Sequence, residues 1–318
     1  MRITGKIAQQ MIDVLDDLRE QIQKESKTKY PYAEWEKKRE DVKRRIEKLP
    51  EYIEEAASMI TVQKTRGPEK ELDLVQRTTL FLFARLMNKS NRDMELIVLF
   101  LQPLFDTPVS YKTIERLYSD EEVKMVLHNL FTLLLKDEGV SGNMTGDGSG
   151  YSVTVTKHYR SNPHKKGRDY KYVFRLMDIE TGMYAAVGYS TISEMRAFHQ
   201  ALEMAKDIGI SIDTLRLDKY YSSKKVLKLF GEDVFVYVIP KNNISKIGIE
   251  WSRIIRKIIE SPYTYLKTYF KRNLSESGFS SDKSRFGGLI RQKREDRQSM
   301  AMLAIGFLHN LFFIRVQN

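Results

Sequence analysis

The pattern of hydrophobic and polar positions along the chain changes character near residue 140. Upstream, apolar residues recur at helical spacing, as at Ile7, Met11 and Leu18, which predicts an almost wholly helical region. Downstream, short alternating or apolar runs are separated by helical patterns, which predicts a mixed α/β region. We therefore predict a helical N-terminal domain over residues 1–140 and an α/β domain over residues 141–318.

The downstream pattern predicts five strands with helices between and after them. The strands are expected at 151–156, 170–177, 183–190, 215–218 and 234–239. The segment Glu180-Thr-Gly182 is a turn signal that joins the second and third strands in a hairpin. An amphipathic helix is expected at 193–208 and a short one at 222–230, and helices dominate the remainder.

Residues 93–119 have a helix-turn-helix rhythm. An apolar helix at 94–104 is followed by a turn at Asp106-Thr-Pro108 and by a helix that Ser110 can cap. The second helix would expose Lys112 and Arg116, which predicts contact with DNA. A helical hairpin that packs for purely structural reasons accounts for this pattern equally well.

Composition narrows the classes of partner. The 318 residues carry a formal net charge of +11, which favours nucleic acid over an anionic membrane. The chain has no cysteine, so disulfides and thiolate zinc sites are excluded, and a reducing cytoplasm fits. The longest apolar run, 300–314, is shorter than a membrane span and predicts a buried helix in which His309 is a core residue. We expect a cytoplasmic, nucleoid-associated protein without a membrane partner.

Four residues near the C-terminus have a distinctive spacing, Tyr269-x2-Arg272-x3-Glu276-x6-Lys283. At about 100° per residue, all four would project from one narrow stripe of a single α-helix. A carboxylate flanked by two cations and a phenol suits a metal ion beside a phosphodiester. The alternative is an ordinary solvated face with an i,i+4 Arg–Glu pair.

Two carboxylates upstream occur in settings typical of functional sites. Asp147 lies in Thr145-Gly-Asp-Gly-Ser-Gly150, where small neighbours could let a ligand and a metal approach the backbone. Asp218 ends a short strand-like run and precedes a helix start, a common site position in α/β sheets. With Glu276 they form an Asp–Asp–Glu set. Because the set has no thiol, it suits a hard cation such as Mg2+ or Mn2+, and two ions are expected.

The chain resembles the DDE transposases of prokaryotic insertion sequences, in the group with the Tyr-Arg-Glu-Lys signature. The resemblance rests on Gly146-Asp-Gly-Ser-Gly150, on Asp218-Lys-Tyr-Tyr-Ser-Ser223 and on residues 269–286, and it extends to His309-Asn-Leu311. It covers residues 141–318 well and the N-terminal part only by layout. It implies an RNase H-like catalytic core, a mixed five-stranded sheet with flanking helices, preceded by the all-α domain. In that fold the first Asp lies on the first strand, the second on the fourth and the Glu on a late helix.

The resemblance also implies a reaction and its partners. Asp147, Asp218 and Glu276 would bind the metal ions, water would cut the ends of the element, and the freed 3′-hydroxyls would attack target DNA. Expected partners are double-stranded DNA, as terminal inverted repeats and as target, and a second copy of the chain in the DNA complex. The expected contacts of Arg272 and Lys283 are phosphates, and that of Tyr269 is a phosphate or a base. Further candidate backbone contacts are Lys241, Lys246, Arg285 and Arg291.

Two other functions are compatible with these residues. One is an RNase H-like nuclease that cuts structured nucleic acid without joining it. The other is a transposase-derived DNA-binding protein that lacks strand transfer, although the intact carboxylates weigh against it. One feature departs from the signature helix: Gly278 lies inside it, and a kink there would rotate Lys283 away from Glu276.

Overall fold

A computed structural model of the chain describes residues 5–25, 32–61, 70–101, 108–153, 170–241 and 248–313. Within these ranges, α-helices surround one mixed β-sheet, so the chain has an α/β fold with flanking helices. The predicted turn residues Asp106 and Thr107, the outer part of the first predicted strand, 154–156, and Lys246 lie outside the described residues.

The N-terminal part is helical, as predicted. Its helices are α1 (Gly5–Glu25), α2 (Tyr32–Glu47), α3 (Leu49–Ser58), α4 (Leu74–Met87), α5 (Asn91–Phe100), α6 (Tyr111–Leu117) and α7 (Glu121–Glu138). Local caps explain several starts: Asp73 and Gln76 form a capping box at α4, and the Ser110 side chain accepts from the Thr113 amide at α6. The predicted Ser110 cap is therefore confirmed.

The sheet contains the five predicted strands and one more. Its strands are β1 (Asn143–Val153), β2 (Tyr170–Asp178), β3 (Tyr184–Ser190), β4 (Thr214–Leu217), β5 (Phe235–Tyr237) and β6 (Leu289–Ile290). Their spatial order is β3-β2-β1-β4-β5, and β6 pairs with the end of β1. The pairs β1–β2 and β2–β3 are antiparallel, whereas β1–β4, β4–β5 and β1–β6 are parallel. The first strand begins earlier than predicted, so Asp147 lies inside it.

Helices cover both faces of the sheet. The remaining helices are α8 (Glu194–Asp207), α9 (Lys224–Leu227), α10 (Ile249–Glu260), α11 (Pro262–Phe270), α12 (Asn273–Phe286) and α13 (Glu295–Phe312). Adjacent residues of β3 point to opposite faces. A Cβ on Gly188 would meet the backbone of Ala197 in α8, whereas Val187 packs against Gly306 in α13. Helix α8 therefore covers one face and α13 the other.

Both hydrophobic clusters of the core contain residues from either side of position 140. One cluster joins Leu127 and Phe131 of α7 to Tyr184 and Ile305. The other joins Leu15 of α1 to strands and to helices α10 and α11. The division into two domains at this position stays a prediction, but the described residues pack across it.

Among the described helices, none is both long enough and apolar enough to cross a lipid bilayer. The predicted buried helix at 300–314 is confirmed as α13 as far as Phe312, and His309 is 2 % exposed.

A buried ionic cluster holds α12 on the sheet. Arg175 of β2 forms an ion pair with Asp282 of α12, and both side chains are almost fully buried. Asp282 also accepts from the Tyr184 hydroxyl at 2.7 Å, and its other oxygen lies 2.7 Å from Nδ1 of His309. Because a buried charge is tolerated only when it is paired and hydrogen-bonded, this cluster specifies where α12 lies.

Gly278 is a packing contact, and α12 continues through it without a break. A Cβ at this position would lie 2.6 Å from Cε of Met177 and 2.8 Å from the Tyr184 hydroxyl. The glycine therefore lets the helix approach β2 and β3 closely, next to the buried Arg175–Asp282 pair.

We expect Asp282→Asn to destabilise the protein by about 3–5 kcal/mol, because it leaves the buried Arg175 charge without its partner. Urea unfolding measures the change. The matched control is Asp41→Asn, which breaks the exposed pair between Asp41 and Arg44 and should cost at most about 1 kcal/mol. Equal losses in the two variants would show that the Arg175–Asp282 pair does not anchor α12.

Candidate active site

Asp147 and Asp218 lie side by side on neighbouring parallel strands. In the β1–β4 ladder Gly146 is paired with Leu217, so each Asp is the next residue beyond one pair. Asp218 follows β4 and accepts from the Tyr220 amide at 2.8 Å, which caps a short 3₁₀ turn. Because adjacent strands lie about 4.8 Å apart, the two aspartates are neighbours at the C-terminal end of β4.

Arg272 connects two of the three predicted carboxylates. Its Nη1 donates to Glu276 Oε1 at 2.7 Å, and its Nη2 lies 3.4 Å from Asp218 Oδ2. The i,i+4 Arg–Glu pair considered as an alternative is thus present, and the same guanidinium also reaches the second strand. Glu276 in the first turn of α12 is thereby brought to the strand edge that carries Asp218.

The three carboxylates influence one another electrostatically. Burial raises the pKa of Asp147 to about 6. The Gly148 amide, which donates at 2.9 Å, and the Arg272 charge oppose this increase, whereas the negative charges of Glu276 and Asp218 add to it. The site therefore has an excess of negative charge that a single arginine only partly compensates.

The donor set fits a hard divalent cation, although its present arrangement does not enclose one. Across the described ranges, no group of three or more carboxylate or imidazole side chains is close enough to hold a metal ion. Asp147, Asp218 and Glu276 offer only oxygen atoms, the ligands that Mg2+ and Mn2+ prefer. The Arg272 guanidinium supplies the positive charge here, through one oxygen each of Asp218 and Glu276.

The prediction that the four signature residues share one helical stripe was wrong for Tyr269. Helix α11 ends at Phe270 and α12 begins at Asn273, with a tight turn between them in which the Arg272 amide donates to Tyr269 O at 3.0 Å. Tyr269 is only 4 % exposed, and the Arg272 guanidinium lies 5.5 Å from the centre of its ring. Tyr269 supports Arg272 in this structure, and its contact with DNA stays a prediction that requires its hydroxyl to become accessible.

Lys283 lies on the same face of β1 as Asp147. Its Nζ donates to Ser149 Oγ at 2.7 Å and lies 5.1 Å from the centre of the Tyr151 ring. Since alternate residues of a strand share a face, Asp147, Ser149 and Tyr151 point the same way. Partial burial lowers the pKa of Lys283, and the nearby Arg175 charge lowers it further.

The other candidate DNA contacts lie on separate elements. Lys112 and Arg116 are exposed on α6, and Lys241 is exposed after β5. Arg285 donates to Phe312 O at 2.7 Å, and Arg291 donates to Asn88 O at 3.2 Å. Their roles in DNA binding stay predictions.

The glycines beside Asp147 make room for packing on the opposite face of β1. A Cβ on Gly146 would collide with the Phe174 ring, and one on Gly148 with the Glu194 carboxylate. The space that was predicted to admit a ligand is therefore filled, and that interpretation was wrong. Glu194, which the sequence analysis missed, accepts from the Tyr221 hydroxyl at 2.6 Å, and its position in the first turn after the Ser193 cap was the available signal.

We expect Asp147→Asn to stabilise the metal-free protein at pH 8 by up to about 3 kcal/mol, and to change little at pH 3.5. The folded pKa of Asp147, about 6, exceeds the ordinary aspartate value of about 3.9. Folding therefore takes up a proton between these values, and the parent loses stability as pH rises through this window. Urea unfolding in excess chelator at both pH values measures the difference.

The control for this experiment is Asp16→Asn, which removes an exposed carboxylate from α1. It should change the stability by less than about 0.5 kcal/mol at either pH. A stabilisation by Asp147→Asn that is the same at both pH values would contradict a raised pKa of the buried Asp147 carboxyl group.

Comparisons with known proteins identify the family of the chain. No family model matches the chain. A piggyBac transposase, solved as a synaptic complex with hairpin DNA, is similar with a TM-score of 0.41 and 10 % identity, over 82 % of this chain and 71 % of that one. A probable transposase for insertion sequence element ISA1214 of Archaeoglobus fulgidus is 61 % identical over 315 residues, which cover 99 % of this chain and 98 % of the relative. At that identity over almost the full length of both proteins, the chain belongs to the family of insertion-sequence transposases.

Proposed function

We propose that this transposase is of the DDE type. It binds the ends of its insertion sequence, cleaves them by metal-dependent hydrolysis and transfers the 3′-hydroxyl ends to target DNA. The observation that carries the proposal is the convergence of Asp218 and Glu276 on Arg272, beside Asp147 on the neighbouring strand. The transposase relative, which is similar over nearly the full chain, supports it.

The sheet supports an RNase H-like core. Three antiparallel strands are followed by two parallel ones in the order β3-β2-β1-β4-β5, with a helix between β3 and β4. The first Asp lies on β1, the second directly after β4 and the Glu on a late helix, α12. This is the placement of acids that the resemblance to DDE enzymes implies.

Asp147, Asp218 and Glu276 would hold one or two Mg2+ or Mn2+ ions. When bound, such ions activate the attacking hydroxyl and neutralise the leaving oxygen. The chain contributes the ligands. Asp147 must lose its proton to become a ligand, and because its pKa is about 6, the ionised fraction of Asp147 rises between pH 5 and 7.

Arg272 would change partners during the reaction. In the DNA-free protein its guanidinium neutralises Asp218 and Glu276. Once a cation takes over that role, the guanidinium is available for a phosphate beside the scissile bond, where a forked hydrogen-bond donor suits two phosphate oxygens. Lys283 of α12 contacts Ser149, which lies two residues after Asp147 on β1. From this position Lys283 would hold a neighbouring phosphate.

The remaining partners follow from charge and position. The net charge of +11 suits double-stranded DNA, both as terminal repeat and as target. The exposed Lys112 and Arg116 on α6, which packs against α5, would contribute to recognition of the repeat. Because two ends must be joined to one target, a homodimer in the DNA complex is the simplest assembly.

The decisive experiment is cleavage of a labelled terminal-repeat duplex in Mg2+ or Mn2+ by Asp147→Asn, Asp218→Asn and Glu276→Gln. Each substitution removes one negative ligand with little change in shape, so cleavage should collapse while DNA binding survives. Losses in double variants should be far from additive, since the three acids act as one unit. Asp41→Asn is the charge-matched control and should cleave normally.

Near-normal cleavage by any one of the three variants would remove that residue from the site. Cleavage by the parent in excess chelator would overturn the metal mechanism. A strand-transfer assay with the cut duplex separates a transposase from a nuclease, because a nuclease leaves the 3′-hydroxyl end unjoined.

Arg272→Ala should reduce cleavage while it increases the affinity of the DNA-free protein for Mn2+. The first effect follows from removal of a charge-assisted phosphate interaction, about 1.5–3 kcal/mol. The second follows because Asp218 and Glu276 no longer have a competing cation. Lys283→Ala should reduce cleavage by a similar amount. The exposed neighbour Lys271 provides the control Lys271→Ala, and unchanged cleavage by Arg272→Ala would exclude this arginine from the active face.

A further inference from the structure

A small cleft at the C-terminal end of α12 is lined by cations. It lies where the end of α4 meets the segment after β6, and it is shallow, with a cavity volume of about 10 Å3, enough for one water molecule or one phosphate oxygen. Arg85, Lys89 and Arg291 line it, together with the polar side chains of Asn88 and Tyr118. Among the residues that the structure describes, no aspartate or glutamate lines it.

Arg85 is the buried member of this group. It is 3 % exposed, and it donates from Nη1 to Asn88 Oδ1 at 2.8 Å and from Nη2 to Phe286 O at 3.0 Å. Its Nε has no hydrogen-bond partner, although a buried guanidinium ordinarily uses all its donors. Burial lowers the pKa of Arg85, and the charges of Arg175 and Arg291 lower it further.

Capping of α12 accounts for only part of this arrangement. The hydrogen bond to Phe286 O places Arg85 at the C-terminal end of α12, where a cation is favourable. It explains neither the unpartnered Nε nor the two further cations at the same cleft. In the described part of the chain, Arg85, Lys89 and Arg291 take part in no ion pair with a carboxylate. Lys89 and Arg291 are exposed to water and Arg85 is buried beneath them, so the three form a positive surface patch that attracts an anion.

The position of the cleft relates it to the candidate active site. Strand β6 pairs with Ser152 and Val153 at the end of β1; its residue Ile290 lines the cleft, and Arg291, the next residue, does so too. Asp147 lies five residues before Ser152 on the same strand, which corresponds to about 17 Å. The Lys283 ammonium contacts Ser149, which lies between Asp147 and Ser152 on this strand.

We propose that the mouth of this cleft is a phosphate-binding subsite for the backbone of bound DNA, about five nucleotides from the cleaved bond, where one phosphate oxygen enters the cleft. One DNA strand advances about 3.4 Å per nucleotide, so 17 Å spans that number. Arg272, Lys283 and the cleft then follow one track along β1. The phosphate chemistry rests on the cleft alone, whereas its assignment to DNA rests on the proposed function.

The test uses the full chain with Lys89→Gln, Arg291→Gln and the double variant, because Arg85 also supports the fold. Binding of a terminal-repeat duplex is measured over a range of salt concentrations. The double variant should bind about tenfold more weakly, and the slope of log K against log salt should be smaller by about 0.9 for each phosphate that the variant no longer neutralises. The control Lys206→Gln removes an exposed charge from α8 and should leave the slope unchanged.

A second measurement identifies the source of the phosphate. Neutral methylphosphonates are placed four to six nucleotides from the cleavage site of the duplex. The parent should bind this duplex about tenfold more weakly, and the affinity of the double variant should fall little further, because it no longer binds that phosphate. If the double variant and the parent bind with equal affinity and equal salt slope, the subsite is refuted. If inorganic phosphate raises the melting temperature of the parent alone but methylphosphonates have no effect, the assignment to DNA is refuted.

These outcomes are separable from the proposed function. If the parent binds DNA with the predicted salt slope but never cleaves it, the subsite stands and the DDE mechanism is refuted. If the parent cleaves DNA in Mg2+ but its binding has the same salt slope as that of the double variant, the mechanism stands and the subsite is refuted.

Discussion

The buried ion pair between Arg175 and Asp282 is the constraint on which the site depends. It joins β2 to α12, and Arg175 is the cross-strand neighbour of Asp147. The same helix carries Glu276 and Lys283 at the rim, where water and ligands can reach them. Because a buried pair tolerates little displacement, fixing Asp282 inside also fixes the positions of the functional side chains outside.

The site on this anchored helix is electrostatically incomplete. Two carboxylates depend on one arginine, and the third, Asp147, has its pKa raised to about 6 by burial. A protein selected only for stability would replace one of these acids, so the excess negative charge is a cost that function explains. The salt bridges of Arg272 hold Asp218 and Glu276 together, and in the proposed mechanism a divalent ion would take over this role.

Several features could be predicted from the sequence because they depend on local patterns. The order of strands and helices along the chain followed from alternation and turn residues, and the three acids were predicted from their spacing and their flanking residues. Other features depend on contacts between distant segments. The glycines in β1 gave no strand pattern in the sequence. They are needed because Phe174 and Glu194 pack against the positions of Gly146 and Gly148, which only the folded structure shows. The break before Asn273 has no proline or glycine to signal it, and β6 has only two residues.

The packing across position 140 joins the N-terminal helices to the helix that carries Glu276. Helix α13 lies against β3 of the sheet and also against α2, α4 and α7, and Arg85 of α4 holds the end of α12. A displacement of α4 would therefore reach the helix that bears Glu276 through a direct hydrogen bond. If DNA phosphates neutralise the cleft beside Arg85, the energy of binding would be delivered to the same helix that carries Glu276, the proposed catalytic acid. The separation of a recognition domain from a catalytic domain, which the change in sequence pattern suggests, does not extend to the mechanics of the folded chain.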